Sequence, residues 1–186
     1  MSKSTSKGRT PISATDNETF HTLFEEYEGE LYRYIRYLCT SSTQAEDIYQ
    51  ETWLRAAQHI AKNREIKNFK NFIFTIATNL FRDDVRKTKF RRLFLGPSMD
   101  EESSHQHIDL ASTRSAPENI DLRLALKNAM QGLTEKQRIM FTLAHVQGFK
   151  IQEISEMMNC ASGTVKSTIH RAVQKLRNEL LDFRTN

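Results

Sequence analysis

Apolar residues recur at intervals of three and four along most of the 186-residue chain, and no stretch alternates as a half-buried strand would. The pattern predicts an all-α protein. Phe20, Leu23, Phe24, Tyr27, Leu31, Tyr34, Ile35 and Leu38 form one stripe on a helix over 17–39. A second helix follows Thr43-Gln-Ala-Glu46, which has capping-box spacing, and turns Ala45, Ile48, Tyr49, Trp53, Ala56 and Ile60 inward. After a charged connection at 62–68 come Phe69, Phe72, Ile73, Ile76 and Ala77, then a polar step at Thr78-Asn79, then a basic helix from Leu80 to Arg92.

Periodicity stops near residue 95. GPSMDEESSHQHIDLASTRSAPE is rich in Ser and acids, poor in apolar side chains and carries one base, Arg114. A structureless run of that length argues against one compact domain, so the chain is divided into a tail at 1–16, a helical domain at 17–93, a linker at 94–118 and a second helical domain at 119–183. Helical spacing returns at Leu122, Leu124, Ala125 and Ala129. Segments at 135–145, 151–157 and 163–180 follow, separated at Gly148 and at MNCAS. The last two make a helix-turn-helix whose second helix sets Val165, Ile169, Ala172, Val173 and Leu176 inward, leaving Lys166, Ser167, His170, Arg171 and Gln174 outward.

Charge alters this picture through its distribution more than its sum. Lys plus Arg number 27 against 23 Asp plus Glu, a weak pointer to an anionic partner. The bases cluster, however, at Arg82, Arg86, Lys87, Lys89, Arg91 and Arg92 and again on the last helix. Two distant cysteines, Cys39 and Cys160, make neither a disulfide framework nor a zinc site, which fits a reducing cytoplasm. A polar N-terminus and the lack of a run of about 18 apolar residues predict no signal peptide and no membrane span. His105 and His107 form an H-x-H pair without a third ligand, so no metal and no cofactor are expected.

The outward side chains of the last helix suit DNA. Lys and Arg neutralise phosphates or donate to guanine, and Ser, His and Gln reach base edges. The free N–H groups near Ser162, Gly163 and Thr164 can meet a phosphate. Spacing alone leaves a second reading open, a solvated face on a helical bundle.

LTEKQRIMFTLAHVQGFKIQEISEMMNCASGTVKSTIHRAVQKLR closely resembles region 4 of the extracytoplasmic-function (ECF) group of bacterial sigma factors, over about 120–182. QAEDIYQETWLRA followed by FKNFIFTIATNLFRDDVRKTK resembles region 2 of the same group, over about 20–92. Two motifs in the right order are far more specific than one. The resemblance implies that Asp47, Gln50 and Glu51 dock on the beta-prime clamp helices of RNA polymerase core, with the beta flap as a further contact. It implies that Asn79 captures a base of the opened minus-ten strand while Arg82, Arg86 and Lys87 hold its backbone, with Phe81 as a candidate for stacking. Asp83 is read as structural, pairing with a neighbouring base. Gly163, Thr164, Lys166, Ser167, His170, Arg171 and Lys175 would contact the minus-thirty-five element of promoter DNA. Thr168 stands where the family usually has Arg, and Ala161-Ser162 replaces a more typical start, so one phosphate contact is in doubt.

The resemblance also implies an anti-sigma factor as partner, and a cytoplasmic protein that such a factor can hold at the inner membrane face. Without the family, Asp47, Gln50 and Glu51 read as ordinary solvated surface, Asn79 as a cap or turn residue, and the linker as an inert tether. The leading expectation is a promoter-specificity subunit with no covalent chemistry. Its rivals are a helix-turn-helix regulator that does not replace the sigma subunit and an enzyme acting on nucleic acid. The N-terminal half lacks the strand alternation of a receiver domain, and no carboxylate cluster, phosphate-cradling loop or nucleophile pair supports catalysis.

Overall fold

The computed structural model describes residues 17–62, 66–95, 125, 126 and 128–185, and every regular element among them is helical. The acidic segment, its H-x-H pair and the N-terminal tail lie outside the described residues.

Helix α1 (Asn17–Leu38) turns the expected stripe to the core, with Leu31, Tyr34, Ile35 and Leu38 fully inside and Phe20, Leu23, Phe24 and Tyr27 partly buried against it. Helix α2 (Ser42–Ile60) begins earlier than the Thr43 cap predicted. Ser41 is the cap, its hydroxyl accepting from the Gln44 amide at 3.2 Å, and the Gln44 side chain returns to the Thr40 amide at 3.2 Å. The turn after α1 is only a few residues long, so the first Ser-x-x-Gln pair takes the role before Thr43 can.

Helix α3 (Phe69–Leu95) corrects a second expectation, because the polar step at Thr78-Asn79 does not break it. No Gly or Pro lies in this span, and the buried Thr78 hydroxyl is satisfied inside the helix. It contacts the Phe74 carbonyl at 2.7 Å and the Tyr34 hydroxyl, also at 2.7 Å. Phe24, Trp53, Tyr49, Tyr27 and Phe69 join the three helices through ring contacts of 4.7–6.3 Å.

In the C-terminal part, helix α4 (Glu135–Phe141) opens on a full capping box between Thr134 and Gln137 and widens into a π turn at Thr142–Val146. Gly148 then takes φ +72°, a left-handed conformation that an L side chain adopts only at a cost. Helix α5 (Ile151–Met158) ends on Asn159 at φ 48°, and helix α6 (Ser162–Thr185) follows. Ala129, Met130 and Leu133 pack on Ala172 and Leu176 of α6. Val173, expected inside, is 37% exposed: the buried arc is already filled by Val165, Ile169, Ala172 and Leu176, and residue 173 falls at its edge.

The two groups of helices share a continuous core. Phe149 meets Phe74 at 5.2 Å, Phe74 meets Tyr34 at 5.1 Å, and Arg138 donates to the Leu38 carbonyl at 2.7 Å. At this seam burial pushes the Cys39 thiol up to about 12, the Asp84 carboxylate adding to the effect while Arg138 and Arg36 oppose it. The wholly buried Tyr34 phenol is raised for the same first reason.

Both groups therefore stay protonated in the folded chain at pH values where the unfolded chain has lost those protons. The folded state binds more protons in that window, so stability falls as pH climbs from about 9 towards about 12, at up to ~1.4 kcal/mol per pH unit for Cys39 alone. Urea unfolding at pH 8 and pH 11 is expected to show this loss, and a Cys39→Ala chain is expected to lose less over the same interval.

Candidate nucleic-acid interface

Three exposed surfaces carry the chemistry. The first is the outer side of α6. Gly163, Thr164, Lys166, Ser167, His170 and Arg171 are all exposed, opposite the buried line of Val165, Ile169, Ala172 and Leu176. Beyond the helix's own backbone nothing lies within 4 Å of where a side chain at Gly163 would begin, so the helix start is open to a close-approaching ligand. Two bonds brace the turn into this helix: the Ser162 hydroxyl donates to Gln152 Oε1 at 3.1 Å, and the Ser167 hydroxyl donates to the Thr164 carbonyl at 3.1 Å.

Lys175 is the exception among the predicted residues. Its ammonium donates to the Gly132 carbonyl at 2.5 Å, which draws it to the flank of α6 and fastens that helix to residues 128–133. Arg177 and Asn178 extend the exposed line that runs through His170, Arg171 and Gln174. Continuing the helical spacing by one turn would have found them. Thr168 is half-buried beside the exposed face.

The second surface is one side of α3. Asn79 is exposed in mid-helix, and Arg55, Asn79, Arg82, Asp83, Arg86, Lys89 and Glu135 line one hollow. Arg86 Nη2 lies 2.9 Å from Asp83 Oδ1, so Asp83 pairs with a neighbouring base as expected, and Lys87 is exposed beside them. Phe81 is not available for stacking: at 3% exposure it belongs to the core, because residue 81 lies on the side of α3 that carries Phe74 and Ala77. Lys89 and Glu135 were missed as members of this surface. Lys89 carried a signal in its basic run; Glu135 carried none, since only the fold, in which α4 rests on α1 and α6, brings its side chain within reach of Arg82 and Lys89.

The third surface is on α2. Asp47 and Gln50 are exposed, and Glu51 Oε1 accepts from Arg55 Nε at 2.7 Å. Leu54, 53% exposed, lies on the same side at a spacing of seven from Asp47, which gives the polar patch an apolar centre. An exposed leucine among acids and amides suits a partner helix better than solvent.

These surfaces coincide with two known modules. Residues 23–91 match the family model "Sigma-70 region 2", and residues 123–176 match "Sigma-70, region 4". The ECF RNA polymerase sigma factor SigW of Bacillus subtilis is 29% identical over 176 residues, covering 92% of this chain and 94% of that protein. The chain belongs to the ECF group of the sigma-70 family. SigL of Mycobacterium tuberculosis, another ECF RNA polymerase sigma factor, is likewise 29% identical, over 92% of this chain and 94% of its own. Among solved structures, the sigma factor RpoE from Bartonella quintana, in complex with the anti-sigma factor NepR, superposes with a TM-score of 0.68 and 26% identity. That match covers 88% of this sigma factor and 97% of RpoE. CnrH, solved with the cytosolic domain of CnrY, shares the fold at a TM-score of 0.63 and 19% identity, over 91% and 92% of the two chains.

Proposed function

We infer that this sigma factor confers promoter specificity on RNA polymerase core, with a separate task for each surface. Asp47, Gln50 and Glu51, centred on Leu54, form the contact for the beta-prime clamp helices. The α3 side with Asn79, Arg82, Arg86 and Lys87 takes the opened minus-ten strand. An exposed amide on a rigid helix can both donate to and accept from an unpaired base, and its basic neighbours hold the backbone. The outer side of α6, from Gly163 through Lys166, Ser167, His170 and Arg171, reads the minus-thirty-five duplex in the major groove.

The observation that carries this reading is the pairing of two exposed basic surfaces with an acidic-apolar one on a chain that matches regions 2 and 4 in order. Such a protein does no covalent chemistry. Opening the duplex costs about 1.4 kcal/mol per base-pair step, and capture of unpaired bases offsets it. The RpoE structure was solved with the anti-sigma factor NepR, which supports an anti-sigma partner for this chain too. No helix among the described residues is long and apolar enough to cross a membrane.

Mixing the chain with purified core polymerase is the first test. A stoichiometric complex is expected to elute ahead of both components in gel filtration. Elution of the two as separate peaks at micromolar concentration would contradict the assignment.

A further inference from the structure

Beyond Val85, helix α3 runs out past the core. Phe81 is its last fully buried side chain, and Arg86, Lys87 and every residue from Lys89 to Phe94 are exposed. Three of these are large and apolar: Phe90 is 63%, Leu93 79% and Phe94 66% exposed. The two rings are paired, with centroids 4.3 Å apart and planes tilted by 35°. With Arg86, Lys87 and Arg91 they line one hollow that no acid enters. The sequence from Val85 to Leu95 contains no Asp or Glu either.

Their position on the helix indicates what they face. Asn79, Arg82, Arg86, Phe90 and Phe94 follow one another at steps of three and four residues, which places them along one side of α3. Phe90 lies about 16 Å and Phe94 about 22 Å along the axis from Asn79, at about 1.5 Å per residue. This side therefore begins with an amide that can bond a base, continues through two guanidiniums that suit phosphates, and ends in two exposed rings. With Phe81 buried, Phe90 and Phe94 are the rings on α3 that a ligand on this side can reach. Exposed aromatics among bases suit unpaired nucleotides, whose flat faces stack on the rings while their phosphates meet the cations.

We propose that Phe90 and Phe94 form a stacking platform for the opened minus-ten strand, extending its track along α3 beyond the base taken at Asn79. The proposal rests on the assignment of that side to the opened strand. Arg86, Lys87 and Arg91 hold the backbone of the nucleotides that lie on the rings. Stacking of this kind tolerates any base, since each has a π face. The platform thus adds affinity without adding sequence preference, and it keeps that part of the strand from rejoining its complement.

The test measures, by anisotropy at low salt, binding of two fluorescein-labelled strands of equal length: (dT)20 and an abasic strand that keeps the phosphates and lacks the bases. Three full-length chains are compared: the unaltered protein, Phe90→Leu with Phe94→Leu, and Phe90→Trp with Phe94→Trp. Leucine keeps apolar bulk and removes the ring; tryptophan keeps a stacking face. The leucine chain is expected to bind (dT)20 roughly 5- to 100-fold more weakly than the unaltered chain and to match it on the abasic strand. The tryptophan chain is expected to keep the unaltered affinity for (dT)20 or exceed it. Equal binding of (dT)20 by the unaltered and leucine chains overturns the platform and leaves the strand assignment standing. Equal losses on both strands, or in both variants, trace the effect to something other than stacking and also overturn it. Unchanged (dT)20 binding with reduced adhesion to phosphatidylglycerol vesicles would assign the rings to a membrane surface instead. If the unaltered chain binds neither strand, the strand assignment fails and takes the platform with it. Thermal melting identifies a variant that merely loses its fold.

Discussion

Replacing Asp47 and Glu51 together by alanine is expected to weaken binding to core polymerase by roughly 30- to 300-fold, the range produced when a few central interface residues supply most of the binding energy. Asp47 is exposed and Glu51 is held by Arg55 at 2.7 Å, so neither supports the core of the fold. Removing Glu51 also leaves Arg55 uncompensated on that face, turning an acidic patch towards positive charge. The change should fall on association with core and leave stability within about 0.5 kcal/mol, as for most surface substitutions. Surface plasmon resonance on immobilised core measures the first and urea unfolding the second. Unchanged affinity would remove both residues from the interface.

The second large effect is expected at α6. Arg171→Ala should cost about 1–3 kcal/mol of duplex affinity and relax preference at one base pair, whereas Lys166→Ala should weaken all sequences alike and lower the salt slope by about one. The two bases lie on one exposed face but at different angles about the helix, Arg171 nearer the middle and Lys166 towards an edge. Selection of bound fragments from a randomised minus-thirty-five library by each holoenzyme separates the two patterns. If both variants keep the same preferences and salt slope, α6 does not read the duplex.

Much of this was legible in the chain because burial repeats with the helical period. The stripe from Phe20 to Leu38 and the arc of Val165, Ile169, Ala172 and Leu176 could be read directly, since a residue three or four positions on faces the same neighbours. The outward side of α6 followed as the complement of that arc. Local polar chemistry was less decisive. Thr43 has the spacing of a cap, yet Ser41 takes that role in the folded chain. Thr78-Asn79 resembled a break because two polar residues interrupted an apolar run, yet Thr78 satisfies its hydroxyl within α3 and against Tyr34.

Other features depend on residues far apart in sequence and left no periodic trace. Glu135 reaches Arg82 and Lys89, Phe149 reaches Phe74, and Lys175 reaches Gly132 only once the helices have packed. The π turn at Thr142–Val146 likewise reads as ordinary helix from its residues, because one widened turn changes no polarity pattern.

The central claim is that this chain lends sequence choice to a polymerase that lacks it. Transcription of fragmented genomic DNA by purified core, with and without the protein, followed by mapping of RNA 5′ ends, tests this directly. The account predicts a small set of start sites that appears only with the protein and shares two motifs at fixed spacing. Start sites unchanged by its addition would contradict it.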